Sequence, residues 1–307
     1  MTLVLAHISD LHLPPGAGPT LRQLLGKRLL SYLAWQRKRR RRTGLPLPCL
    51  LEDLAAFAPE AIAVTGDLTH FALPAEFAAG RAFLRALGPP GKVLLIPGNH
   101  DALVPVPWAQ GQGLWAEWMG GDAAGPAPFP FLRRMGDVAL IGLSTALPTA
   151  PGLASGRLGA AQLGRLAQML AETGRQGLCR VVLIHHPPTG ENRRRGLDDR
   201  EALLGLLARH GAEMLLHGHS HRPALEPLRG PEGQMLPGIG VPQALAGVGH
   251  RHLARWHLYR IARAPGGWAV QSLVRGYDPA AGRFRTIGEW RLPLGAAMRG
   301  GAVSTAA

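Results

Sequence analysis

Five times in this chain an apolar run of strand length passes straight into a loop of carboxylate, imidazole and amide side chains. Leu3-Val4-Leu5-Ala6 leads to His7-Ile8-Ser9-Asp10-Leu11-His12, Ala61-Ile62-Ala63-Val64 to Thr65-Gly66-Asp67, and Val93-Leu94-Leu95-Ile96 to Pro97-Gly98-Asn99-His100-Asp101. Val181-Val182-Leu183-Ile184 leads to His185-His186-Pro187-Pro188, and Met214-Leu215-Leu216 to His217-Gly218-His219-Ser220-His221-Arg222-Pro223. Unbroken apolar runs of this length fit strands buried on both faces. Helix-like stretches lie between them at residues 50–57, 75–87, 159–170 and 197–209. Strands alternating with helices make an α/β fold, and in open α/β sheets the functional groups gather at the carboxyl ends of the strands. Beyond Gly240 the pattern changes, and residues 252–261 and 268–274 read as closing strands of a second sheet.

Seven side chains in these loops are metal donors: Asp10, His12, Asp67, Asn99, His185, His219 and His221. No thiolate is among them, which suits manganese, iron or zinc held by oxygen and nitrogen. Seven donors exceed what one ion needs when it must also hold water, and they suit two ions sharing a carboxylate. Ions about 3.5–4 Å apart can activate a water and stabilise a phosphoryl group under attack. A lone D-x-H or H-x-H is weak evidence, whereas five motifs in one order, each at a strand end, leave little room for coincidence.

The set D-x-H, G-D, G-N-H-D, H-H-P and G-H-x-H resembles the calcineurin-like metallophosphoesterase superfamily over Asp10 to His221. The resemblance implies a four-layer αββα sandwich of two mixed β-sheets with a dimetal site at the strand ends. It implies that one ion takes Asp10, His12, Asp67 and His221, and the other Asp67, Asn99, His185 and His219, with a bridging hydroxide as nucleophile. His100 would bind no metal and would assist at the leaving group or the transition state. Gly66-Asp67-Leu68-Thr69-His70-Phe71-Ala72 departs from the G-D-x-x-D-R-G pattern of the phosphoprotein phosphatases. His70 stands where those enzymes carry an acidic residue that orients the catalytic histidine, so either His100 is positioned differently or His70 meets substrate. The opening motif, with Gly-Asp-Leu-Thr and His-His-Pro-Pro, looks like the bacterial class III cyclic-nucleotide phosphodiesterase branch and implies a small phosphodiester substrate. His-Gly-His-Ser-His-Arg-Pro is also similar to the enzymes that cleave UDP-diacylglucosamine, a nucleotide-linked lipid, although those commonly lack the His-His-Pro-Pro loop. A metal-free binding scaffold on the same fold is the alternative from another class, and the filled donor positions weigh against it.

Around these donors, His186 and His217 read as supports for their neighbours, since ligating imidazoles need oriented partners. His250, His252 and His257 read as core or surface residues. Arg193, Arg194 and Arg195 could grip a substrate phosphate or lie in a solvated loop. Trp108, Trp115 and Trp118 could line a substrate face or pack. Leu21, Leu24, Leu25, Leu29, Tyr32 and Leu33 recur at helical spacing, with Arg22, Lys27 and Arg28 among them and a basic run from Arg37 to Arg42 behind. This basic amphipathic insertion at about 20–43 reads as a helix packed on the domain or as peripheral contact with an anionic membrane. Nucleic acid is disfavoured as its partner because no aromatic stacking platform accompanies it.

Bulk properties set the frame. The 307 residues, 46% hydrophobic and 18% charged, suit a globular chain with a sizeable core, read as one domain over 1–294 with a frayed tail at 295–307. The net charge of +14 fits a phosphate-bearing substrate or an anionic surface, and equally an arginine-rich coding bias. Cys49 and Cys179 form no spaced pair, so reduced thiols are expected. No apolar run approaches a membrane span and no basic leader precedes the first strand, which points to the cytoplasm.

Overall fold

The computed structural model describes residues 2–294 apart from 17, 25, 40–45 and 123–128. The expected tail at 295–307, Leu25 and the end of the basic run at 40–42 lie outside the described residues. The chain runs β1 (Thr2–Ile8), α1 (Lys27–Arg39), α2 (Leu47–Phe57), β2 (Ala61–Val64), α3 (Pro74–Leu87), β3 (Val93–Leu95), β4 (Phe131–Met135) and β5 (Val138–Gly142). It continues through α4 (Ala160–Arg175), β6 (Cys179–Leu183), α5 (Arg200–His210), β7 (Met214–His217), β8 (Ala224–Arg229), β9 (Met235–Gly240), β10 (Arg255–Ala264), β11 (Gly267–Asp278) and β12 (Arg283–Leu294). The strands form two six-stranded mixed sheets, in the orders β12-β11-β10-β1-β2-β3 and β4-β5-β6-β7-β9-β8.

The unbroken apolar runs are used on both faces, as a two-sided strand requires. In β6, Val181 and Leu183 join the larger core between the sheets, while Val182 and the following Ile184 join the smaller one beneath α4 and α5. Met214 and Leu216 of β7 likewise face inward, and Leu215 faces Leu166, Leu203 and Leu207 of the helices. Helices α2 and α3 add Leu50, Leu54, Phe77 and Leu84 to the larger core. The result is the expected four-layer α/β sandwich. Each fully buried leucine or valine in it contributes on the order of 1.5–3 kcal/mol.

The strands beyond residue 255 do not build the second sheet, contrary to the sequence expectation. β10 pairs antiparallel with β1 from Thr2↔Ala262 to His7↔His257, and so closes the first sheet. The reason lies in β1, whose other edge is taken in parallel by β2; its free edge needs a partner, and the long β10–β11 hairpin supplies one. The second sheet is begun by the β4–β5 hairpin instead.

Helix α1 is moored by polar and aromatic contacts and not by its leucines. The Arg28 guanidinium donates to the carbonyls of Phe71 (2.9 Å) and Ala72 (2.7 Å), and Tyr32 and Trp35 pack against the Phe71 ring. Leu29, Leu30 and Leu33 are 42–52% exposed and Leu21 is 87% exposed. Trp115 and Trp118 pack: both are buried, and their indole N–H groups donate to the carbonyls of Phe77 and Gly88. Both thiols are free. Among the described residues no helix is long and apolar enough to cross a membrane.

Candidate metal centre

All seven expected donors converge at the carboxyl ends of β1, β2, β3, β6 and β7, where the two sheets meet. The loops after β1 and β2 continue as a ladder beyond the strands: the N–H groups of Asp10, His12 and Leu13 donate to the carbonyls of Gly66, Asp67 and Leu68. Five of the seven donors, Asp10, His12, Asp67, His219 and His221, have φ between 43° and 66°. Non-glycine residues hold such a conformation at a cost of about 1–3 kcal/mol each, and only where the surroundings force it. Here the surroundings are crowded backbones. A Cβ at Gly98 would fall 2.2 Å from Asp67 Oδ1, and one at Gly218 would overlap Ser9 and come within 2.4 Å of Asp10 Oδ2. The glycines of the motifs let the loops of the two sheets approach this closely.

The donor atoms gather in two neighbouring groups. Asp10, His12, Asp67 and His221 present donor atoms all within 4.8 Å of one another. His221 Nε2 lies 3.0 Å from Asp10 Oδ1 and 3.4 Å from His12 Nε2. In the other group, Asn99 Oδ1 lies 2.8 Å from His219 Nδ1 and 3.2 Å from His185 Nε2. Asp67 Oδ2 faces both, at 3.8 Å from His12 Nε2 and 3.5 Å from His185 Nε2. Its other oxygen accepts the His100 backbone N–H (2.8 Å). Six of the seven donors are buried, His221 being the half-exposed exception.

Backbone carbonyls set the imidazole tautomers, because a carbonyl only accepts. Thr65 O takes the Nδ1–H of His185 (2.6 Å) and Thr69 O that of His12 (3.1 Å), so each Nε2 faces the cluster. His70 O takes the Nδ1–H of His100 (2.8 Å). This settles how His100 is oriented without the acidic residue of the phosphoprotein phosphatases: the backbone of residue 70 does it. The His70 ring meanwhile stacks on His12 (5.0 Å between centroids) and meets the edge of Trp35 (6.1 Å). His186 is a support, since its Nδ1 accepts from the Thr145 hydroxyl (2.7 Å) and its Nε2–H donates to Ala154 O (3.1 Å). The three arginines separate: Arg195 borders a cavity beside His221, Arg193 lines a different one with Arg157 and Asp198, and Arg194 is exposed.

Two further residues hold the frame. Asp101, the last residue of G-N-H-D, accepts the N–H groups of Asp67 (2.8 Å), Gly98 (2.9 Å) and Thr69 (3.0 Å). Glu76 accepts those of His70 (2.8 Å), Phe71 (3.0 Å) and Leu73 (3.0 Å), which fixes the carbonyl that holds His100. Glu76 was legible as an acidic residue at the third position of α3, a capping signature.

The electrostatics ask for a cation. Burial alone would raise Asp67, but the charges of His185, His100 and His12 outweigh it and hold the carboxyl well below its usual range. Burial lowers His185, yet the charge and hydrogen bond of Asp67, with Asp10, raise it to about 9. The proton there compensates two buried carboxylates, which a metal ion would do in its place. His12 is pushed down to about 3, first by burial and then by the charge of His100, and so stays neutral and able to ligate. Oxygen and imidazole donors, a neutral His12 and two buried carboxylates together fit divalent cations.

Comparison with known proteins gives the family. The model of the calcineurin-like phosphoesterase family matches residues 3–223. The chain belongs to the calcineurin-like phosphoesterase family. Among solved structures it is similar to a dimetal phosphatase from Danio rerio, with 13% identity, a TM-score of 0.57 and coverage of 93% of this chain and 98% of that one. The sulfate thiohydrolase SoxB of Thermus thermophilus matches at 16% identity and a TM-score of 0.46, covering 89% of this chain and 56% of that one. Vps29 of Chaetomium thermophilum matches at 12% identity and a TM-score of 0.39, covering 94% and 97%. No curated protein matches the chain by sequence. As a calcineurin-like phosphoesterase with a buried Asp/His cluster, the protein has the donor set of a metal-dependent phosphoester hydrolase.

Proposed function

We propose that this protein is a cytoplasmic dimetal phosphodiesterase acting on a small phosphodiester such as a cyclic nucleotide. Asp10, His12, Asp67 and His221 would hold one ion and Asp67, Asn99, His185 and His219 the other, with manganese, iron or zinc as the metals. The observation that carries the reading is Asp67 Oδ2, which faces the imidazoles of both groups while its partner oxygen is tied to the backbone. When bound, the ions supply an activated water and neutralise charge on the phosphoryl oxygens. The chain's own residues do the rest. Carbonyls of Thr65 and Thr69 keep the ligand imidazoles facing inward, and Asp101 fixes the loop of Asp67 against that of Gly98. His100, its Nδ1–H engaged by His70 O, has Nε2 left for the substrate, and in its imidazolium form would give the Nε2 proton to the leaving oxygen and keep that on Nδ1.

The test compares bis-p-nitrophenyl phosphate with p-nitrophenyl phosphate on manganese-loaded protein. The diester should be the better substrate, and His100→Ala should cost about 100-fold or more in kcat with metal content unchanged. Faster turnover of the monoester would assign the protein to phosphomonoester hydrolysis, and no turnover of either with metal bound would favour the scaffold alternative.

A second reading is favoured by α1: the substrate is a nucleotide-linked lipid diphosphate met at an anionic membrane. Leu21, Leu29, Leu30 and Leu33 are exposed on a basic segment, and Trp35 connects that helix through His70 to His12. Exposed leucines among arginines suit an acyl–headgroup boundary. Co-sedimentation with phosphatidylglycerol vesicles, lost in the Leu30→Glu/Leu33→Glu variant, would support it. Equal partition of both proteins into the supernatant would remove it.

A further inference from the structure

A cavity of about 460 Å³ opens beside the candidate metal centre, on the side of His221. Its volume lies within the range of small-ligand sites, roughly 300–1,000 Å³. Its walls come from the segment that carries Glu191 and Arg195, from Ser220-His221-Arg222 and from Gly249-His250-Arg251-His252. Among the described residues three guanidinium groups, Arg195, Arg222 and Arg251, border it against one carboxylate, Glu191. Glu191 reaches Arg195 at 3.7 Å and Arg222 at 3.9 Å, long contacts shared between two cations. The surplus of positive charge is felt by His252, whose pKa is lowered by burial and then by the charges of Arg255, Arg251 and Arg222. Gln243, itself buried, holds the wall in place: its side-chain oxygen accepts the Nδ1–H of His250 (2.9 Å). Arg195 is tied to the metal-centre loop by a bond from its guanidinium to His219 O (3.4 Å). A surface with so many guanidinium forks and so little carboxylate is complementary to phosphate oxygens.

We propose that this cavity binds a second anionic group of the substrate, a phosphate covalently linked to the scissile phosphoester, and that Arg195, Arg222 and Arg251 select for it. The inference rests on the phosphoesterase reading for the scissile group but not for the binding of the second one. It narrows the substrate class, away from a cyclic mononucleotide with its single phosphate, to phosphoesters that carry two phosphate groups, as a nucleoside bisphosphate or a diphosphate-linked molecule does. A substrate held this way spends the second phosphate on orientation next to His221.

Two esters that differ by one phosphate test it: thymidine 5′-(p-nitrophenyl phosphate), and the same ester with a 3′-phosphate. On the manganese-loaded protein the 3′-phosphorylated ester should have the higher kcat/KM, by about tenfold and mainly through KM. Arg251→Gln should collapse that ratio towards one, and Arg251→Lys should restore part of it. Calorimetric titration of the same proteins with the non-hydrolysable bis-phosphonate analogue of thymidine 3′,5′-bisphosphate reads the site without turnover, and Arg251→Gln should weaken binding about tenfold. Analogue binding that weakens in the variant, with neither ester hydrolysed, would keep the pocket and sink the hydrolase reading. Equal kcat/KM for the two esters in the wild type, or a ratio and an affinity that Arg251→Gln leaves unchanged, would overturn the proposal.

Discussion

Substituting one methyl group at Gly98 should disable the metal centre without unfolding the protein. Gly98 follows β3 and has no left-handed backbone requirement, so alanine is conformationally acceptable there. Space is what forbids it. The new Cβ would lie 2.2 Å from Asp67 Oδ1, 2.6 Å from the Asp67 nitrogen and 2.7 Å from His185 Cε1, and contacts under 3.0 Å do not persist. Asp67 cannot turn aside freely, because Oδ1 accepts the His100 N–H and its own N–H is held by Asp101. The carboxylate and the His185 ring must therefore shift by roughly 1 Å, a misplacement that costs on the order of 100-fold in rate. Gly164 in α4 makes the contrast: a Cβ there meets nothing within 4 Å, and Gly164→Ala should stabilise by about 1 kcal/mol as helix propensity dictates. The assay is bound manganese and bis-p-nitrophenyl phosphate turnover for both variants, beside urea denaturation. A Gly98→Ala protein with wild-type metal content and wild-type kcat would refute the packing argument.

Asp101→Asn leaves one of its two oxygen positions facing backbone N–H groups with an amide NH₂. We expect metal affinity to fall about 10- to 100-fold, the usual cost of losing an outer support, and competition with a chelator measures it. Stability should fall with acid through His257, which burial and then the charge of Arg255 hold down at about 3. The unfolded chain takes up that proton near pH 6.5 and the folded one does not, so the contribution is complete above 6.5 and lost as pH falls towards 3. The slope is about 1.4 kcal/mol per pH unit. Urea denaturation at pH 7.5 and 5.0 should show a drop that is roughly 2 kcal/mol smaller in His257→Gln, and an identical drop in both proteins would count against the assignment.

The strands that carry the donors were legible because they are buried on both faces and so read as unbroken apolar runs. β4 was not, because Arg133 interrupts it: the guanidinium is buried and spends itself on the carbonyls of Pro90, Val93 and Gly120. The β8–β9 hairpin was hidden by Pro227 and Pro237, which sit directly opposite each other and read as loop residues. The donor set was legible as residue types, since chemistry restricts which side chains bind metals. The left-handed backbone at five donors was not, because crowding between loops from distant parts of the chain imposes it. The orientation of His100 was missed for a related reason: a backbone carbonyl at His70 leaves no mark on residue identity. The leucines of α1 have helical spacing, but spacing does not say whether a neighbour covers them, and here Tyr32 and Trp35 make the contacts instead.

On the proposed function two ions bind at Asp67 and both are needed to hydrolyse a phosphoester. Metal-stripped protein titrated with manganese, with bound metal and bis-p-nitrophenyl phosphate turnover followed together, tests it directly. We expect saturation at two ions per chain with activity tracking the second, and loss of that activity in Asn99→Ala. Saturation at one ion with full activity, or two bound ions and no turnover of any phosphoester, would contradict it.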